Sequence, residues 1–248
     1  MARVLVLGGG FAGVVAAESL AKKLGPQHQI TLVSRRREFL FYPALVRLAF
    51  GHCKVEDISY DLRTAMLDRR IEFIEAQVAR PNPDERLVIT AHGEVEGKMP
   101  YDYLVFALGR RLATENVAGF FEHAHHLLTV NAALKFGEAL KQFNRGHAVI
   151  GYCVDARLAI PVYETAFALD RMLIERGDRD NVKITVVSPD QMNGLLGGSE
   201  VAERVKKTLA EHNIEVVQDF VVNRVTENQI TAADGRELNH DNRVTENQ

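Results

Sequence analysis

The apolar positions of the N-terminal region form short runs that alternate with amphipathic stretches. Residues 4–7 (VLVL) are an apolar run with β-branched residues, which predicts a buried strand. Residues 14–24 have the spacing of a helix, and residues 28–34 (HQITLVS) predict a second strand. The order strand, helix, strand is that of a βαβ unit, so we expect the two strands to lie in one parallel sheet.

A glycine-rich turn, GGGFAG at residues 8–13, joins the first predicted strand to the helix and fits the pattern G-x-G-x-x-G. Gly8 permits the tight turn, Gly10 lets a pyrophosphate approach the backbone, and Gly13 lets helix and strand pack closely. The free N–H groups of the helix N-terminus then face the phosphates. Because the motif lies between a strand and a helix, we predict a dinucleotide site here.

The same order of elements recurs in the second half of the chain. Residues 147–151 (HAVIG) predict a strand, residues 161–175 a helix with proline in its first turn, and residues 182–188 the following strand. We therefore predict an α/β chain with two Rossmann-like, three-layer domains on central parallel sheets, at residues 1–112 and 113–241.

The turn of the second unit, GYCVDA at residues 151–156, lacks two of the three glycines. Cys153 and Ala156 stand at those positions, and Pro161 follows Gly151 by ten positions. A side chain at Cys153 would obstruct a close pyrophosphate. We therefore expect the second unit to keep the scaffold but to have lost tight NAD(P) binding.

Local patterns predict the remaining elements. Residues 57–67 predict a short helix, residues 71–76 and 86–91 predict two strands, and residues 88–98 predict a hairpin with His92 and Gly93 at its tip. Further predictions are a buried strand at 101–109, an amphipathic helix at 131–143 capped by Thr129 or Asn131, a helix at 199–212, and short strands at 214–217, 220–225 and 229–232.

Composition and charge narrow the class of protein. The 46% apolar and 25% charged fractions are those of a soluble globular protein. A net charge of −3 gives no reason to expect nucleic acid or acidic lipid as the main partner. No apolar run approaches the roughly 18 residues of a membrane span, and the N-terminus enters a strand directly, so we expect a cytoplasmic chain. Cys53 and Cys153 form neither a disulfide framework nor a C-x-x-C motif.

Two interpretations stay open at the end of the second predicted strand. A dinucleotide site usually places an acid there for a ribose hydroxyl, whereas this chain has Ser34 followed by Arg35, Arg36 and Arg37. Serine can hydrogen-bond a ribose, although less strongly than a carboxylate. The arginines are compatible with a 2′-phosphate clamp for NADP or with a solvated basic turn.

Aromatic and histidine side chains are further candidate ligand groups. Phe39, Phe41 and Tyr42, just before Pro43, could wall a flat ring system or could be plain core. His123, His125 and His126 form an H-x-H-H cluster, but neither a cysteine nor a nearby acid completes a ligand set, so we predict no metal site. The heptapeptide NRVTENQ occurs at residues 223–229 and again at 242–248, and we exclude the second copy from the predicted fold as an artefact.

Four features together resemble a known superfamily: GGGFAG after the first strand, the aromatic-Pro segment at 39–43, YDYLVFALG at 101–109, and the second Rossmann-like unit, whose long turn ends Pro-x-Tyr-Glu at 161–164. They resemble the flavin disulfide-reductase superfamily, whose two domains bind FAD and NAD(P). Within it the chain is most similar to the sulfide:quinone oxidoreductase and flavocytochrome c sulfide dehydrogenase group, and next to type II NADH dehydrogenases. The resemblance implies an FAD-dependent oxidoreductase that passes two electrons from sulfide or NAD(P)H to a quinone. A non-catalytic flavin- or nucleotide-binding module is the alternative.

The resemblance also implies roles for individual residues. The glycine turn and residues 107–109 would meet the FAD phosphates, Ser34 and Arg35 the adenosine side, and Pro43 the ring. Glu164 and Cys153 are the candidate catalytic residues. For Glu164 the alternative is a helix-start acid, and for Cys153 a small buried apolar residue. The full set of predicted cofactor contacts is Gly8, Gly10, Phe11, Ala12, Gly13, Ser34, Arg35, Pro43, Val78, Ala107, Leu108 and Gly109.

The chain departs from the group in two respects. The redox cysteines of sulfide oxidoreductases would correspond to Leu128 and Leu158, so a cysteine pair is not implied. Family members also continue further, through the quinone pocket to a membrane-binding end, so the chain is similar to a C-terminally truncated member. An incomplete FAD domain exposes apolar surface, and we expect weak flavin retention or a homodimer that covers it.

Overall fold

The structure, a computed structural model, describes residues 1–109, 116–154, 159–189 and 199–241. The predicted tail at 242–248 and the predicted cysteine position Leu158 lie outside the described residues. The chain divides into two compact units, an N-terminal unit of Met1–Phe41 and Val55–Arg111 and a C-terminal unit of Tyr42–Lys54 and Leu112–Gln248. The sequence predicts one domain at residues 1–112, whereas residues 42–54 group here with the C-terminal unit.

Strands and helices alternate along much of the chain, as the apolar pattern predicts. Up to residue 109 the elements are β1 (Arg3–Leu7), α1 (Phe11–Lys23), β2 (Gln29–Ser34), β3 (Glu38–Leu40), α2 (Leu45–Ala49), α3 (Val55–Ile58), β4 (Ser59–Asp61), α4 (Leu62–Leu67), β5 (Glu72–Asn82), β6 (Leu87–Gly93), β7 (Gly97–Pro100) and β8 (Tyr103–Phe106). From residue 116 onward they are α5 (Phe120–His123), α6 (Val130–Gln142), β9 (Gly146–Gly151), α7 (Ile160–Arg176), β10 (Val182–Val187), α8 (Ser199–Glu211), β11 (Ile214–Val217), β12 (Val222–Val225), β13 (Gln229–Ala232) and β14 (Glu237–Asn239).

The N-terminal unit is built on a sheet with the strand order β7-β6-β5-β2-β1-β8. The four neighbouring strands β5, β2, β1 and β8 are parallel to one another. The pairs β5–β6 and β6–β7 are antiparallel. Val6 of β1 lies opposite Leu32 of β2 on one side and Val105 of β8 on the other. Apolar clusters cover both faces of β1, one around Val6 and one around Leu7, which explains its unbroken apolar run.

The predicted helix at residues 57–67 is wrong, because the chain forms α3, then β4, then α4 over this stretch. Two side chains interrupt a continuous helix. The Ser59 hydroxyl donates to the Val55 carbonyl (2.9 Å), and Asp61 caps α4 by accepting the Thr64 amide (2.7 Å). Short polar side chains often compete with the helical backbone in this way. The residues between them pair with β3 as β4.

The C-terminal unit contains a parallel sheet of strand order β11-β10-β9 and an antiparallel sheet of order β12-β13-β14. The helix α7 packs on the parallel sheet through buried residues such as Ala166, Leu169 and Leu173. The predicted helix α6 is capped by Thr129, whose hydroxyl accepts the Ala132 amide (3.2 Å). The predicted strand, helix, strand order of the second half is therefore present.

Close packing explains why the segment Tyr42–Lys54 groups with the C-terminal unit. A Cβ atom at Gly137 of α6 would lie 2.6 Å from the Ala49 carbonyl oxygen of α2. The rings of Phe50 and Phe136 meet edge to face with centroids 6.1 Å apart. A glycine in α6 thus lets the two helices approach closely. None of the helices in the described ranges combines the length and apolarity needed to cross a bilayer.

Asp102 joins the start of β8 to the start of β1, and its charge gives a prediction about acid stability. Its carboxylate accepts the Arg3 amide (2.7 Å) and the Arg3 guanidinium (3.1 Å). These contacts with Arg3 hold the pKa of Asp102 at about 2, below the ~3.9 of an unfolded aspartate. The carboxylate therefore stabilises the fold above about pH 4, and this contribution is lost as the pH falls toward about 2.

We expect Asp102→Asn to lower the urea midpoint of unfolding at pH 7 and to lower it less at pH 3. Equilibrium unfolding followed by circular dichroism at both pH values measures this difference. Asp84→Asn, a change at an exposed turn residue, is the matched control and should leave the midpoint unchanged at both. An Asp102→Asn effect that is the same at pH 7 and pH 3 would contradict the assignment.

A candidate dinucleotide site at the carboxyl edge of the N-terminal sheet

The predicted site lies where the carboxyl ends of β1, β2 and β8 meet. From β1 the chain crosses through α1 to β2 on one side, while β8 pairs with β1 on the other side. Open parallel sheets bind ligands at such a reversal of strand order. Backbone hydrogen bonds connect the strand ends at this edge. The Gly8 amide donates to the Val33 carbonyl (2.8 Å), and the Ala107 amide donates to the Leu7 carbonyl (2.8 Å).

Each glycine of the motif meets a different physical constraint. Gly8 has a φ of +110°, and a Cβ atom there would lie 2.2 Å from the Ala107 carbonyl oxygen. At Gly13 a Cβ atom would lie 1.8 Å from the Gly8 carbonyl oxygen, so this glycine permits the close packing of α1 on β1. A Cβ atom at Gly10, in contrast, would meet nothing within 4 Å. The backbone therefore borders open space at Gly10, where the motif predicts a phosphate.

Gly9 was not singled out by the motif, yet it is as constrained as its neighbours. A Cβ atom at Gly9 would lie 2.6 Å from the Ser34 hydroxyl and 2.7 Å from a Leu62 methyl group. The glycine turn therefore packs directly against the end of β2. The run of three consecutive glycines was the signal in the sequence that could have identified this contact.

The first turn of α1 begins beside the open space at Gly10 and has no side-chain cap. The helix begins at Phe11, its cap residue Gly10 offers no side-chain hydrogen bond, and its first turn carries no acid. The first intrahelical bond that involves the cap runs from the Val14 amide to the Gly10 carbonyl (3.0 Å). The first amides of a helix have no acceptor within it and favour an anion. Gly10, Phe11 and Ala12 are exposed, so a phosphate can reach them.

The structure separates the roles of the residues that follow β2. Ser34 is buried and accepts the Arg36 amide (3.3 Å), while Arg35 and Arg36 are exposed. Arg37 is paired with Asp61. The Thr64 amide and the Arg37 guanidinium together hold the pKa of Asp61 at about 2. A 2′-phosphate clamp would therefore depend on Arg35 and Arg36 rather than on all three arginines.

The other predicted contacts of the N-terminal unit lie at the same edge of its sheet. Ala107 is half-buried against Gly8, whereas Leu108 and Gly109 are exposed. Gly109 has a φ of +76°, a conformation that favours glycine. Val78 lies on β5, beyond the residue that pairs with Ser34, and packs against the cluster around Leu7 and Val33. Their contact with a cofactor stays a prediction.

The remaining predicted site residues belong to the C-terminal unit. Pro43 lies in a 3-10 turn, Tyr42–Ala44. Glu164 is half-buried on α7, where burial raises the pKa of its carboxyl and the charge of Arg47 opposes part of this rise. Leu128, where the resemblance implies a redox cysteine, is exposed just before α6. The roles predicted for Pro43 and Glu164 stay predictions.

Cys153 follows β9 and packs against an apolar cluster that includes Val187 and Phe220. Burial raises the pKa of its thiol above the ordinary value. A reactive cysteine needs a lowered pKa and an electropositive, accessible environment. The surroundings of Cys153 therefore favour the interpretation as a packing residue, and its catalytic role stays a prediction.

The histidines at residues 123–126 lie in and after α5. His126 stacks on the ring of Phe120 with centroids 5.7 Å apart, and His125 lies 5.5 Å from the ring of Phe136. Burial lowers the pKa of His126. Within the described ranges, no group of three or more His, Cys, Asp or Glu side chains is arranged to hold a metal ion.

The strand order and the glycine turn are those of a known enzyme family. The family model described as "Pyridine nucleotide-disulphide oxidoreductase" matches residues 2–245. The chain belongs to this family. The finding confirms the predicted superfamily and the predicted α/β dinucleotide-binding fold.

Two curated members of the pyridine nucleotide-disulphide oxidoreductase family show which groups the chain is similar to. The sulfide-quinone reductase of Aquifex aeolicus is 34% identical over 236 residues, which are 93% of this chain and 54% of the relative. A type II NADH:quinone oxidoreductase of Staphylococcus haemolyticus is 24% identical over 229 residues, 92% of this chain and 56% of the relative. Both predicted groups are therefore found among the relatives. The chain spans about half the length of the curated relatives it matches.

Solved structures of the family agree with this result. The sulfide:quinone oxidoreductase from Aquifex aeolicus superposes with a TM-score of 0.88 at 31% identity, over 98% of this chain and 57% of that one. The NDH2 structure from Plasmodium falciparum in complex with NADH gives a TM-score of 0.74 at 19% identity, over 96% of this chain and 53% of that one. The second likeness is one of fold alone.

The glycine contacts predict different outcomes for two single-methyl changes. Gly13→Ala forces a methyl group into the Gly8 carbonyl and should lower the free energy of unfolding by about 1–3 kcal/mol or more. Gly10→Ala points its methyl group into open space and should cost less than about 1 kcal/mol. Urea unfolding of both variants measures the contrast. Equal losses in the two variants would show that α1 does not pack on β1 as described.

The packing of Cys153 predicts slow alkylation of its thiol. In a Cys53→Ser background, where Cys153 is the remaining cysteine, iodoacetamide at pH 7 should label the folded protein at least about tenfold more slowly than a free thiol. Unfolding in urea should remove this protection and provides the control. Labelling of the folded protein as fast as of free cysteine would support a reactive role instead.

Proposed function

We propose that the chain is the FAD-binding part of a flavin-dependent oxidoreductase of the sulfide:quinone oxidoreductase type. The observation that carries the proposal is the open space at Gly10, bordered by the uncapped first turn of α1 and by two glycines that a methyl group would disrupt. This cradle suits a pyrophosphate. When bound, FAD would supply the two-electron chemistry, and the protein would bind and orient it.

Different residues of the N-terminal unit would bind different parts of the cofactor. Gly10 and the amides at the start of α1 would hold the pyrophosphate, with residues 107–109 beside it. Ser34 and Arg35 would meet the adenosine side at the end of β2. Val78 would add an apolar contact from β5. The exposed guanidinium of Arg35 suits a phosphate or ribose oxygen, because its planar fork of N–H donors matches oxygen acceptors.

The resemblance implies that two further residues would serve the ring of the flavin. Pro43 would lie near the ring, and Glu164 would hold or relay a proton there. A carboxyl whose pKa is raised by burial exchanges protons closer to neutral pH than an ordinary glutamate does. Cys153 is the weaker of the two candidate catalytic residues, because its thiol is packed in an apolar cluster.

The relatives support sulfide or NADH as the electron donor and a quinone as the acceptor. The higher identity to the sulfide-quinone reductase favours sulfide. Leucine at positions 128 and 158 argues against a cysteine pair, and Cys153 and Ala156 in the second turn argue against tight NADH binding. We therefore propose the sulfide:quinone type first and the type II NADH dehydrogenase type second. A homodimer and a peripheral membrane contact through a C-terminal part belong to the same proposal.

A non-catalytic flavin- or nucleotide-binding module is the second candidate function. The observations that favour it are the missing cysteines and the apolar surroundings of Cys153. Such a module would keep the pyrophosphate cradle of the N-terminal unit without a donor site. Donor-dependent reduction of a bound flavin therefore distinguishes the two functions.

Flavin binding is the direct test of the proposal. The purified protein should acquire a flavin absorption spectrum after incubation with FAD and removal of the excess, and sulfide or NADH added without oxygen should bleach it. Gly10→Val, which fills the open space with a larger side chain, should fold and should weaken FAD binding by about tenfold or more. NADP should bind less tightly than FAD.

The possible outcomes separate the candidates. A protein that stays colourless after incubation with FAD contradicts the proposed function. A bound flavin that neither donor bleaches favours the non-catalytic module. Tighter binding of NADP than of FAD would instead support the basic turn at Arg35 and Arg36 as a 2′-phosphate clamp.

A further inference from the structure

An aromatic cluster of Phe11, Phe39, Phe41 and Tyr60 lies at the start of α1 in the N-terminal unit. Phe11 is the first residue of the helix. Its ring meets Phe39 edge to face with centroids 5.0 Å apart and Phe41 in a tilted contact at 5.5 Å. Phe39 in turn stacks on Tyr60 at 4.7 Å with an interplanar angle of 23°. The cluster therefore connects the glycine turn to the small sheet of β3 and β4.

The small sheet places Phe39 at the centre of this cluster. Phe39 of β3 lies directly opposite Tyr60 of β4, so the two rings form a cross-strand pair. Phe39 is 7% exposed and belongs to the core, whereas Phe11 and Tyr60 are 36% and 42% exposed. The buried ring of Phe39 is therefore the fixed point against which the exposed ring of Phe11 rests.

Backbone bonds and one ion pair hold the two short strands together. The Phe41 amide donates to the Ile58 carbonyl (2.8 Å), and the Leu62 amide donates to the Arg37 carbonyl (2.8 Å). Arg37 and Asp61 also pair through their side chains. A three-residue strand pair is weak alone, but these contacts close it at both ends. Phe39 thus has a rigid support.

The first turn of α1 needs such a support from outside the helix. Its cap residue is Gly10, it contains Gly13, and no side chain caps its amides. Glycine adds conformational freedom to an unfolded turn, and an uncapped helix end frays readily. The ring of Phe11 is a contact that can restrict this freedom at the first helical residue. Aromatic pairs of this geometry contribute beyond the area that they bury.

We propose that Phe39 is a positioning residue: through Phe11 it holds the first turn of α1, and with it the amides that would bind the pyrophosphate. The ligand in this inference rests on the proposed function. The bracing of the helix start does not, because it concerns the protein without ligand. Two measurements therefore test the two parts separately.

Amide hydrogen exchange of the protein without ligand tests the bracing. The reporters are the amides of Val14 and Ala16, compared with the amide of Leu20 in the same helix. The Val14 amide donates to the cap residue Gly10, and the helical pattern gives Ala12 of the first turn as the acceptor for Ala16. Phe39→Leu and Phe11→Leu should speed exchange at the reporters about three- to tenfold relative to Leu20. Phe11→Leu changes an exposed residue, so the test survives if Phe39→Leu is too unstable.

Two control variants identify a merely structural effect. Val15→Ala changes a 60% exposed residue of the same helix outside the aromatic cluster, and because alanine is the better helix former it should not speed exchange at the reporters. Val88→Ala removes volume from the core on the other face of the sheet, so it should lower global stability without changing the ratio. An unchanged ratio in Phe11→Leu, or the same change in Val15→Ala, would overturn the proposal.

Binding of FAD and of ADP, which carries the same pyrophosphate, tests the consequence for the ligand. Both Phe variants should bind each compound about three- to tenfold more weakly, while Val15→Ala and Val88→Ala should bind them as the unaltered protein does. If the unaltered protein binds neither, the proposed function fails and the exchange ratio still decides the bracing. Weakened exchange protection with unchanged affinity would overturn the positioning role.

Discussion

The close approach of α1 to β1 is the constraint on which the N-terminal unit depends. It is possible because Gly13 presents bare backbone to the Gly8 carbonyl oxygen, where a Cβ atom would lie 1.8 Å away. Gly8 itself is held by its φ of +110° and by the carbonyl of Ala107. One backbone contact therefore sets the position of the helix start relative to both β1 and β8. Gly8 and Gly13 thus pack against other backbone atoms, whereas Gly10 between them borders open space.

The sequence predicted the elements whose signal is local. An apolar run bounded by glycine gave β1, and the spacing of apolar residues gave α1, α6 and α7, with boundaries shifted by one to three residues. The glycine pattern also located the candidate site, because its physical roles follow from the lack of a side chain. The family prediction rested on the same segments, and the family match confirms it.

Elements that depend on contacts distant in sequence were not predictable in this way. The stretch 57–67 is helical on both sides of β4. In the strand itself, Tyr60 stacks on Phe39 of β3, a contact that no local pattern predicts. Residues 42–54 joined the C-terminal unit because Gly137, far along the chain, admits α2 against α6. The pairing of Arg37 with Asp61 likewise lies outside any local motif, yet it decides which arginines face solvent at the end of β2.

The second half of the chain keeps the strand, helix, strand scaffold but lacks two of the three glycines in its turn. At Gly151 a Cβ atom would lie 2.4 Å from a Val187 methyl group, so this glycine packs against β10. The Tyr152 hydroxyl bonds to Ser188 (2.6 Å), and Cys153 turns into an apolar cluster. In the C-terminal unit, side chains therefore lie at the strand ends, where the N-terminal unit has glycine backbone without side chains. Both units therefore need glycine where a Cβ atom would clash, as at Gly13 and Gly151, and in the N-terminal unit the turn also leaves Gly10 beside open space that a phosphate could enter.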